Sequence, residues 1–391
     1  MRSCNFKPII LIAGALAMTF CLCVSLNAQS GRKPEGPRGQ QPSEKPIIKL
    51  ETREVIIPLR AYDADGKFVD DLAAKDVIVL EENEPRAVTS LRREPANIVL
   101  VLDLCNEIGT FKNGAATFYG MVEEDQKRDP HQPVWIKPHD IVARPTPREF
   151  ADNFVSRLSP NDHIAIIQYS DKVQLIQDWT RDREHALDSL MSKYRIGLKS
   201  RYLDALKLAA EKLDERTAGR RIIVLVTDGI DTASRASREQ ALTCIKRSQA
   251  TVFVIGWAQA LRTEINATLN MMGTQSGPGF DILGSGRKRA AELMVYLKSL
   301  DGAEVELRNL AELSGGEMWL PPTHQELAGS PSMLVGEIGA QYSLAFITDR
   351  RFTTAGLDDT HSIQVLPARR GLSLRTRRGY YVDESTKTGS Q

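Results

Sequence analysis

The sequence predicts an α/β protein in which a mostly parallel sheet carries helices on both faces, flanked by N- and C-terminal β segments that form an accessory β unit. Two segments, Asn97–Asp103 and Ile222–Asp228, are nearly continuous runs of Val, Ile and Leu that end on a carboxylate. Such runs are typical of parallel strands covered on both faces. Amphipathic helices separate the strands, as Phe150, Phe154 and Leu158 illustrate with their spacing of four residues.

Composition limits the function classes. The chain has 391 residues, 42% of them hydrophobic, and a formal net charge of +1. This length allows two or three domains with real cores. The near-neutral charge argues against binding to nucleic acid through bulk positive charge, so we predict no nucleic-acid partner.

The N-terminus has the pattern of an export signal. Arg2 and Lys7 precede an apolar run from Ile9 to Leu26, which predicts a signal peptide over residues 1–28. The alternative is an uncleaved membrane anchor, and only in that case do we predict membrane contact. The protein is therefore expected to be secreted or periplasmic. Residues 29–46 are rich in Gly, Pro and charge, and predict a flexible linker.

The remaining chain divides into three parts. Residues 47–95 predict an N-terminal β segment, residues 96–322 the α/β domain, and residues 323–385 a C-terminal helix and β segment. Within the α/β domain, residues 258–303 look less regular and include a glycine-rich loop, Gly273 to Gly286.

A long insert follows the first acidic strand end. Residues 108–146 contain Phe111, Phe118, Tyr119 and Trp135 together with four prolines and a charged run. Loops of this length without regular structure are uncommon and are usually functional or disordered. Two interpretations are open: a lid that packs its aromatic rings on its own domain, or a loop that binds a protein partner together with the strand-end face.

The two acidic strand ends are the main candidate site. In open α/β sheets, ligands bind beyond the carboxyl ends of the strands. Asp103 and Asp228 both lie there. Two buried carboxylates brought together repel each other, and a hard cation would compensate that repulsion.

Several blocks of sequence in the right order resemble the von Willebrand factor type A (VWA) domain, and more closely the secreted group described as acidobacterial VWFA-related proteins. They include Val99–Asp103, the Ser159-Pro-Asn-Asp-His segment, Arg221–Asp231 and the closing Arg377–Tyr381. The resemblance extends from about Val55 to Tyr381. It implies a Rossmann-like fold and a role in protein binding.

Domains of this family carry a metal-ion-dependent adhesion site, in which an Asp-x-Ser-x-Ser loop, a distant Thr and a distant Asp surround Mg²⁺. The resemblance places the two Asp positions at Asp103 and Asp228, and the Thr position at Ser200. Both serines of the loop are replaced, by Cys105 and Glu107. The predicted metal set is therefore Asp103, Glu107, Ser200 and Asp228.

Three interpretations of this altered loop are open. The site is empty and serves as scaffold, or Glu107 coordinates the ion, or Glu107 imitates the acidic group that a partner would supply. A third carboxylate favours Ca²⁺ or Mn²⁺ over Mg²⁺, and beyond such a divalent cation we expect no cofactor. For Asp231 the alternative to a site role is stabilisation of its own loop.

The favoured function is a non-catalytic protein-binding or adhesion module with a degenerate adhesion site. One alternative is a structural component of the cell envelope with a dead site. The other is an enzyme, or a subunit of one, that uses Cys105 as a nucleophile. A reactive thiolate needs a basic neighbour, and none is nearby in the sequence. Elsewhere, the pairs Arg369-Arg370 and Arg377-Arg378 predict a solvated, protective strand edge.

Overall fold

The computed structural model describes residues 53–105, 147–193, 195, 197, 199–274, 285–348 and 360–381. The predicted signal peptide (1–28), linker (29–46) and insert (108–146), as well as Glu107, lie outside the described residues. Within the described ranges, no helix has the length and apolar character needed to cross a membrane.

The described residues form strands and helices that alternate through the central part of the chain. The strands are β1 (Arg53–Tyr62), β2 (Val77–Glu81), β3 (Glu84–Arg86), β4 (Val88–Arg92), β5 (Ala96–Asp103), β6 (His163–Tyr169), β7 (Val173–Thr180), β8 (Arg220–Thr227), β9 (Thr251–Gly256), β10 (Glu317–Trp319), β11 (Tyr342–Thr348), β12 (Thr360–Pro367), β13 (Ser373–Thr376) and β14 (Gly379–Tyr381). The helices are α1 (Pro147–Arg157), α2 (Arg183–Lys193), α3 (Tyr202–Asp214), α4 (Arg238–Ser248), α5 (Ala258–Thr274), α6 (Ser285–Leu313), α7 (His324–Gly329) and α8 (Pro331–Gly339).

The central sheet has the strand order β10-β9-β8-β5-β6-β7, and only β7 runs antiparallel to its neighbour. Every residue of β5 is buried. Its alternate side chains enter two different hydrophobic clusters: Leu100 packs with Phe154 of α1 on one face, and Val101 packs with Leu206 of α3 on the other. The predicted parallel sheet with helices on both faces is confirmed.

The expectation of irregular structure across residues 258–303 is wrong. Helices α5 and α6 cover most of this stretch. The buried residues of α6 recur at helical spacing, at Leu293, Tyr296, Leu300 and Leu307. Exposed apolar residues such as Val295 lie between them and obscure the amphipathic pattern.

The N- and C-terminal segments meet in two antiparallel sheets, with the orders β13-β1-β11-β4 and β14-β12-β2-β3. The facing sides of these sheets share one apolar core, to which Ile57 and Leu344 contribute from the first sheet and Val79 and Ile363 from the second. Sequence-distant segments thus form the accessory β unit, as predicted.

A buried arginine joins the accessory unit to the α/β domain. Arg60 on β1 is 1% exposed, and its guanidinium contacts Glu337 at 2.5 Å and Glu317 at 3.1 Å. The same group lies 5.2 Å from the ring centroid of Phe253 on β9 and donates to the Gly315 and Gly316 carbonyls. A guanidinium can satisfy this many acceptors because its five donors lie in one fixed plane.

The predicted solvated edge is wrong for Arg377, which is 7% exposed. Its guanidinium donates to the Ile56 carbonyl at 3.1 Å. Gly315 packs so closely against it that an added Cβ would lie 2.7 Å from the Arg377 main-chain nitrogen. The turn from β13 to β14 therefore packs directly against Gly315 of the α/β domain, and this contact buries Arg377.

Candidate metal centre

The two acidic strand ends lie side by side. Strands β5 and β8 are adjacent and parallel, with Leu102 opposite Val226. Asp103 ends β5 and is 1% exposed, and Asp228 follows β8 and is 4% exposed. Ligand atoms of Asp103, Cys105 and Asp228 all lie within 4.8 Å of one another. The structure thus brings together two of the four predicted ligands and adds the thiol that replaces the first serine.

Hydrogen bonds orient the Asp103 carboxylate. Its Oδ1 accepts the Cys105 main-chain N–H at 3.0 Å, and its Oδ2 accepts the Thr227 hydroxyl at 3.2 Å. The Tyr169 hydroxyl lies 2.6 Å from the Thr227 hydroxyl, deep in the sheet. The carboxylate is therefore held by groups from the two neighbouring strands, β6 and β8, and from the turn that follows its own strand.

A tyrosine that the sequence reasoning missed contacts the second carboxylate. Oδ2 of Asp228 accepts the Tyr296 hydroxyl from α6 at 2.7 Å, and Oδ1 accepts the Ile230 main-chain N–H at 2.9 Å. Tyr296 is 4% exposed. Because α6 was not expected as a helix at this point, nothing in the sequence pattern could have connected Tyr296 with Asp228.

The electrostatics of the pair are unfavourable without a compensating charge. Burial raises the pKa of Asp103 to about 7, and the negative charge of Asp228 adds to this effect. The hydrogen bonds from Cys105 and Tyr169 lower that pKa but do not reverse the shift. Burial also raises the pKa of the Tyr169 phenol, so this group stays protonated and remains a donor. A positive ion placed here would remove the repulsion that raises the Asp103 pKa.

Ser200, the third predicted ligand, lies in the loop before α3. It is fully buried, its N–H donates to the Thr232 hydroxyl at 2.9 Å, and its carbonyl accepts from the Thr232 and Ala233 main-chain nitrogens. These bonds fix the loop before α3 to the loop that follows Asp228. The fourth predicted ligand, Glu107, lies outside the described residues.

Asp231 stabilises its own loop, as the alternative interpretation held, and also contacts the first turn of α3. One of its oxygens accepts the Ser234 main-chain N–H at 3.0 Å, and the other accepts the Ser234 hydroxyl at 2.5 Å. The second oxygen also accepts the Leu203 N–H at 2.9 Å, in the first turn of α3. Asp231 therefore caps α3 from a distance, where a negative charge is favourable.

The fold is thus an α/β sheet with two buried carboxylates at the carboxyl ends of adjacent parallel strands. Within it, residues 145–281 match the family model of the von Willebrand factor type A domain. The chain therefore contains a VWA domain. The matched range begins after β5, and the structure shows that β5, with Asp103, completes the same sheet.

Comparison with solved structures gives distant similarities. BatB from Bacteroides thetaiotaomicron is 15% identical over 41% of this chain and 66% of its own, with a TM-score of 0.27. Proximal thread matrix protein 1 from the mussel byssus, with a zinc-occupied adhesion motif, is 14% identical over 63% of this chain and 48% of its own, at 0.36. Manganese-loaded TRAP protein from Plasmodium vivax is 11% identical over 78% and 98%, at 0.34.

The chain spans about two thirds of the BatB chain and about half of the mussel protein. A search of curated proteins finds no match to the sequence.

Proposed function

We propose that this protein is a non-catalytic, secreted or periplasmic binding module whose strand-end site holds a divalent cation through an altered ligand set. The observation that carries the proposal is the meeting of Asp103, Cys105 and Asp228 within 4.8 Å at the buried strand ends. VWA domains are often adhesion or protein-interaction modules, so a protein partner fits the fold.

The donor set fits a cation. Two carboxylates and a thiol offer oxygen and sulfur ligands. The two carboxylates repel each other when no ion lies between them. Zn²⁺ accepts carboxylate oxygen and cysteine sulfur in the same site, whereas Mg²⁺ takes oxygen ligands. Asp103, Cys105 and Asp228 would hold the ion, which would supply a positive charge for an acidic group of the partner.

The ligand set can be tested by thermal melts. The protein is stripped with a chelator, and each of Zn²⁺, Mn²⁺, Ca²⁺ and Mg²⁺ is then added separately. At one hundred times its dissociation constant, an ion should stabilise the fold by about 2.7 kcal/mol. We expect Mg²⁺ to be the weakest ion, because Cys105 removes one oxygen ligand. The sequence-based preference for Ca²⁺ or Mn²⁺ depends on Glu107 and is tested by Glu107→Ala in the same series.

Two substitutions separate the outcomes. Asp228→Asn should abolish the response, and Cys105→Ser should shift the preference from Zn²⁺ towards Mg²⁺. Cys244→Ser is the matched control, because Cys244 packs on a separate part of the core. If no ion changes the melting temperature of the wild type, the site is a scaffold and the proposal of a metal-binding module is wrong.

The acidic surroundings of Cys105 support a non-catalytic role. The thiol is 8% exposed and lies beside two carboxylates. Negative neighbours and burial both disfavour the thiolate that a nucleophile needs. Cys105 should therefore react with iodoacetamide no faster than Cys244 in the folded protein. Rapid, selective labelling of Cys105 would favour the enzyme alternative.

The proposed location rests on residues 1–28 alone. Mass spectrometry of the N-terminus after expression with an export system would show whether the chain begins near residue 29. An intact N-terminus in the membrane fraction would instead support the anchor interpretation.

A further inference from the structure

A groove of about 750 Å³ lies apart from the strand-end site, where the accessory unit meets the end of α6 and β10. One wall is formed by residues 362–366 of β12 and 374–376 of β13. The opposite wall contains Arg308, Glu312 and the turn from Gly315 to Met318. A volume of this size is typical of ligand-binding clefts.

The groove carries an excess of positive charge. Five arginines and two glutamates line it, namely Arg60, Arg308, Arg375, Arg377, Arg378, Glu312 and Glu317. Glu317 is already engaged by Arg60 and Arg375, at 3.1 and 2.5 Å. Arg378 is exposed at the groove. Arg60 is also paired with Glu337, and Arg308 with Glu304. Arg377 and Arg378 then remain against Glu312, so the groove keeps a small excess of positive charge.

Arg377 is a buried charge that no described acid neutralises. It is 7% exposed, its Nε has no hydrogen-bond partner among the described residues, and it makes no ion pair with them. Burial and the nearby Arg221 lower its pKa to about 10, which still leaves it charged at neutral pH. A buried cation without an anion is costly, so an acidic ligand in the groove would relieve this cost.

The groove also exposes a strand edge. Among the described residues, strand β14 pairs with β12 at Thr360, His361 and Ser362. The Ile363 N–H then donates to the Arg378 carbonyl at 2.9 Å. Main-chain groups of a strand alternate between its two sides. The next N–H and C=O on this side therefore belong to Val365, beyond the end of β14 and within the groove.

We propose that this groove binds an extended acidic peptide segment of a partner protein, which pairs its main chain with β12 at Val365 and places carboxylates at Arg375 and Arg378. Addition of a strand to an exposed sheet edge is a general mode of peptide recognition. Arginine side chains complement it, because their forked donors match a carboxylate. This site is independent of the metal centre and of whether an ion binds there.

The probe is a fluorescein-labelled octapeptide of alternating Glu and Val, followed by fluorescence anisotropy in the presence of a chelator. The matching Lys–Val peptide tests charge, and a Glu–Val peptide with N-methylated amides tests main-chain pairing. The chelator and a parallel titration of the Asp228→Asn variant exclude capture of the peptide acids by a metal ion. We expect saturable binding of the Glu–Val peptide only.

Variants locate the binding site. Arg378→Gln should weaken Glu–Val binding about tenfold, the equivalent of one charge-assisted hydrogen bond. The double variant Arg375→Gln/Arg378→Gln should weaken it further. Arg370→Gln is the matched control, because Arg370 is exposed between β12 and β13 but does not line the groove. A melt of each variant confirms that it is folded.

Several results would overturn the proposal. The first is equal binding of the Lys–Val peptide, and the second is an equal loss of binding in the Arg370→Gln control. The third is undiminished binding of the N-methylated peptide, which would exclude main-chain pairing. The fourth is displacement of the Glu–Val peptide by inorganic phosphate at constant ionic strength, because the groove would then hold a simple anion. Self-association of the protein through this face would also contradict the proposal. It would be seen as a concentration-dependent mass that Arg378→Gln abolishes, and the occupant of the groove would then be a second copy of the protein.

Discussion

Replacing Asp103 by Asn should stabilise the metal-free protein at neutral and higher pH. The folded state raises the pKa of Asp103 from its ordinary value of 3.8 to about 7. The folded protein therefore retains a proton that the unfolded chain releases, and stability falls as the pH rises from about 4 to 7. At 1.36 kcal/mol per pH unit, the loss amounts to at most about 4 kcal/mol above pH 7.

Asparagine removes this loss because it cannot ionise. It also fits the site: its carbonyl can accept the Cys105 N–H, and its amide can donate to the Thr227 hydroxyl, which would then donate to Tyr169. We expect Asp103→Asn to melt roughly 4–10 °C higher than wild type at pH 8 in a chelator, with little difference at pH 4.

The assay is urea unfolding of both proteins in a chelator at several pH values, which gives the difference in unfolding free energy against pH. Asp188→Asn on the exposed side of α2 is the control and should show no such trend. Because the charge of Asp228 contributes to the raised pKa of Asp103, the unfolding free energy of Asp228→Asn should fall less steeply with pH than that of the wild type. The reasoning is refuted if Asp103→Asn is less stable than wild type at pH 8, or if the difference does not vary with pH.

Two further predictions concern the contact between the accessory unit and the α/β domain. Arg60→Ala should lower the free energy of unfolding in urea by about 3–5 kcal/mol, because it leaves two acidic partners without their buried cation. Arg92→Ala, at a surface ion pair, is the control and should lower it by under about 1 kcal/mol. Similar losses in the two variants would contradict the role of Arg60 in joining the two parts. Gly316→Ala should prevent normal folding, because its Cβ would lie 1.9 Å from the Val252 carbonyl oxygen, and circular dichroism melts should show a large loss. Gly336→Ala is its control, since that Cβ would contact nothing within 4 Å, and a wild-type melting temperature for Gly316→Ala would show that the close approach can relax.

The central sheet could be predicted because burial on both faces leaves a simple signature. Strands β6 and β9 also show this signature, since most of their residues are apolar and buried. The acids at the carboxyl ends of β5 and β8, Asp103 and Asp228, could be expected at one edge of the sheet because parallel strands share a direction. The position of Asp103 beside Asp228 follows from this register alone.

The partners of these acids could not be predicted in the same way. Tyr296 reaches Asp228 from a helix 68 residues further along the chain, and the packing of α6 rather than any local pattern determines that contact. Arg377 was expected in solvent because arginine is rarely buried. Its burial depends on the tight approach of Gly315, a tertiary contact that neither residue reveals on its own.

The pairing of β1 has a consequence for how the chain folds. Arg53 lies opposite Thr348, so the first described strand finds its neighbour roughly 300 residues later. During synthesis the α/β domain can form its sheet while β1 and β2 still lack partners, and their apolar residues remain exposed until β11 and β12 arrive. The accessory unit can therefore be completed only after β11 and β12 have been synthesised, by closing a loop of roughly 300 residues. Any truncation before β11 would release an unpaired, aggregation-prone N-terminal strand from an otherwise folded domain.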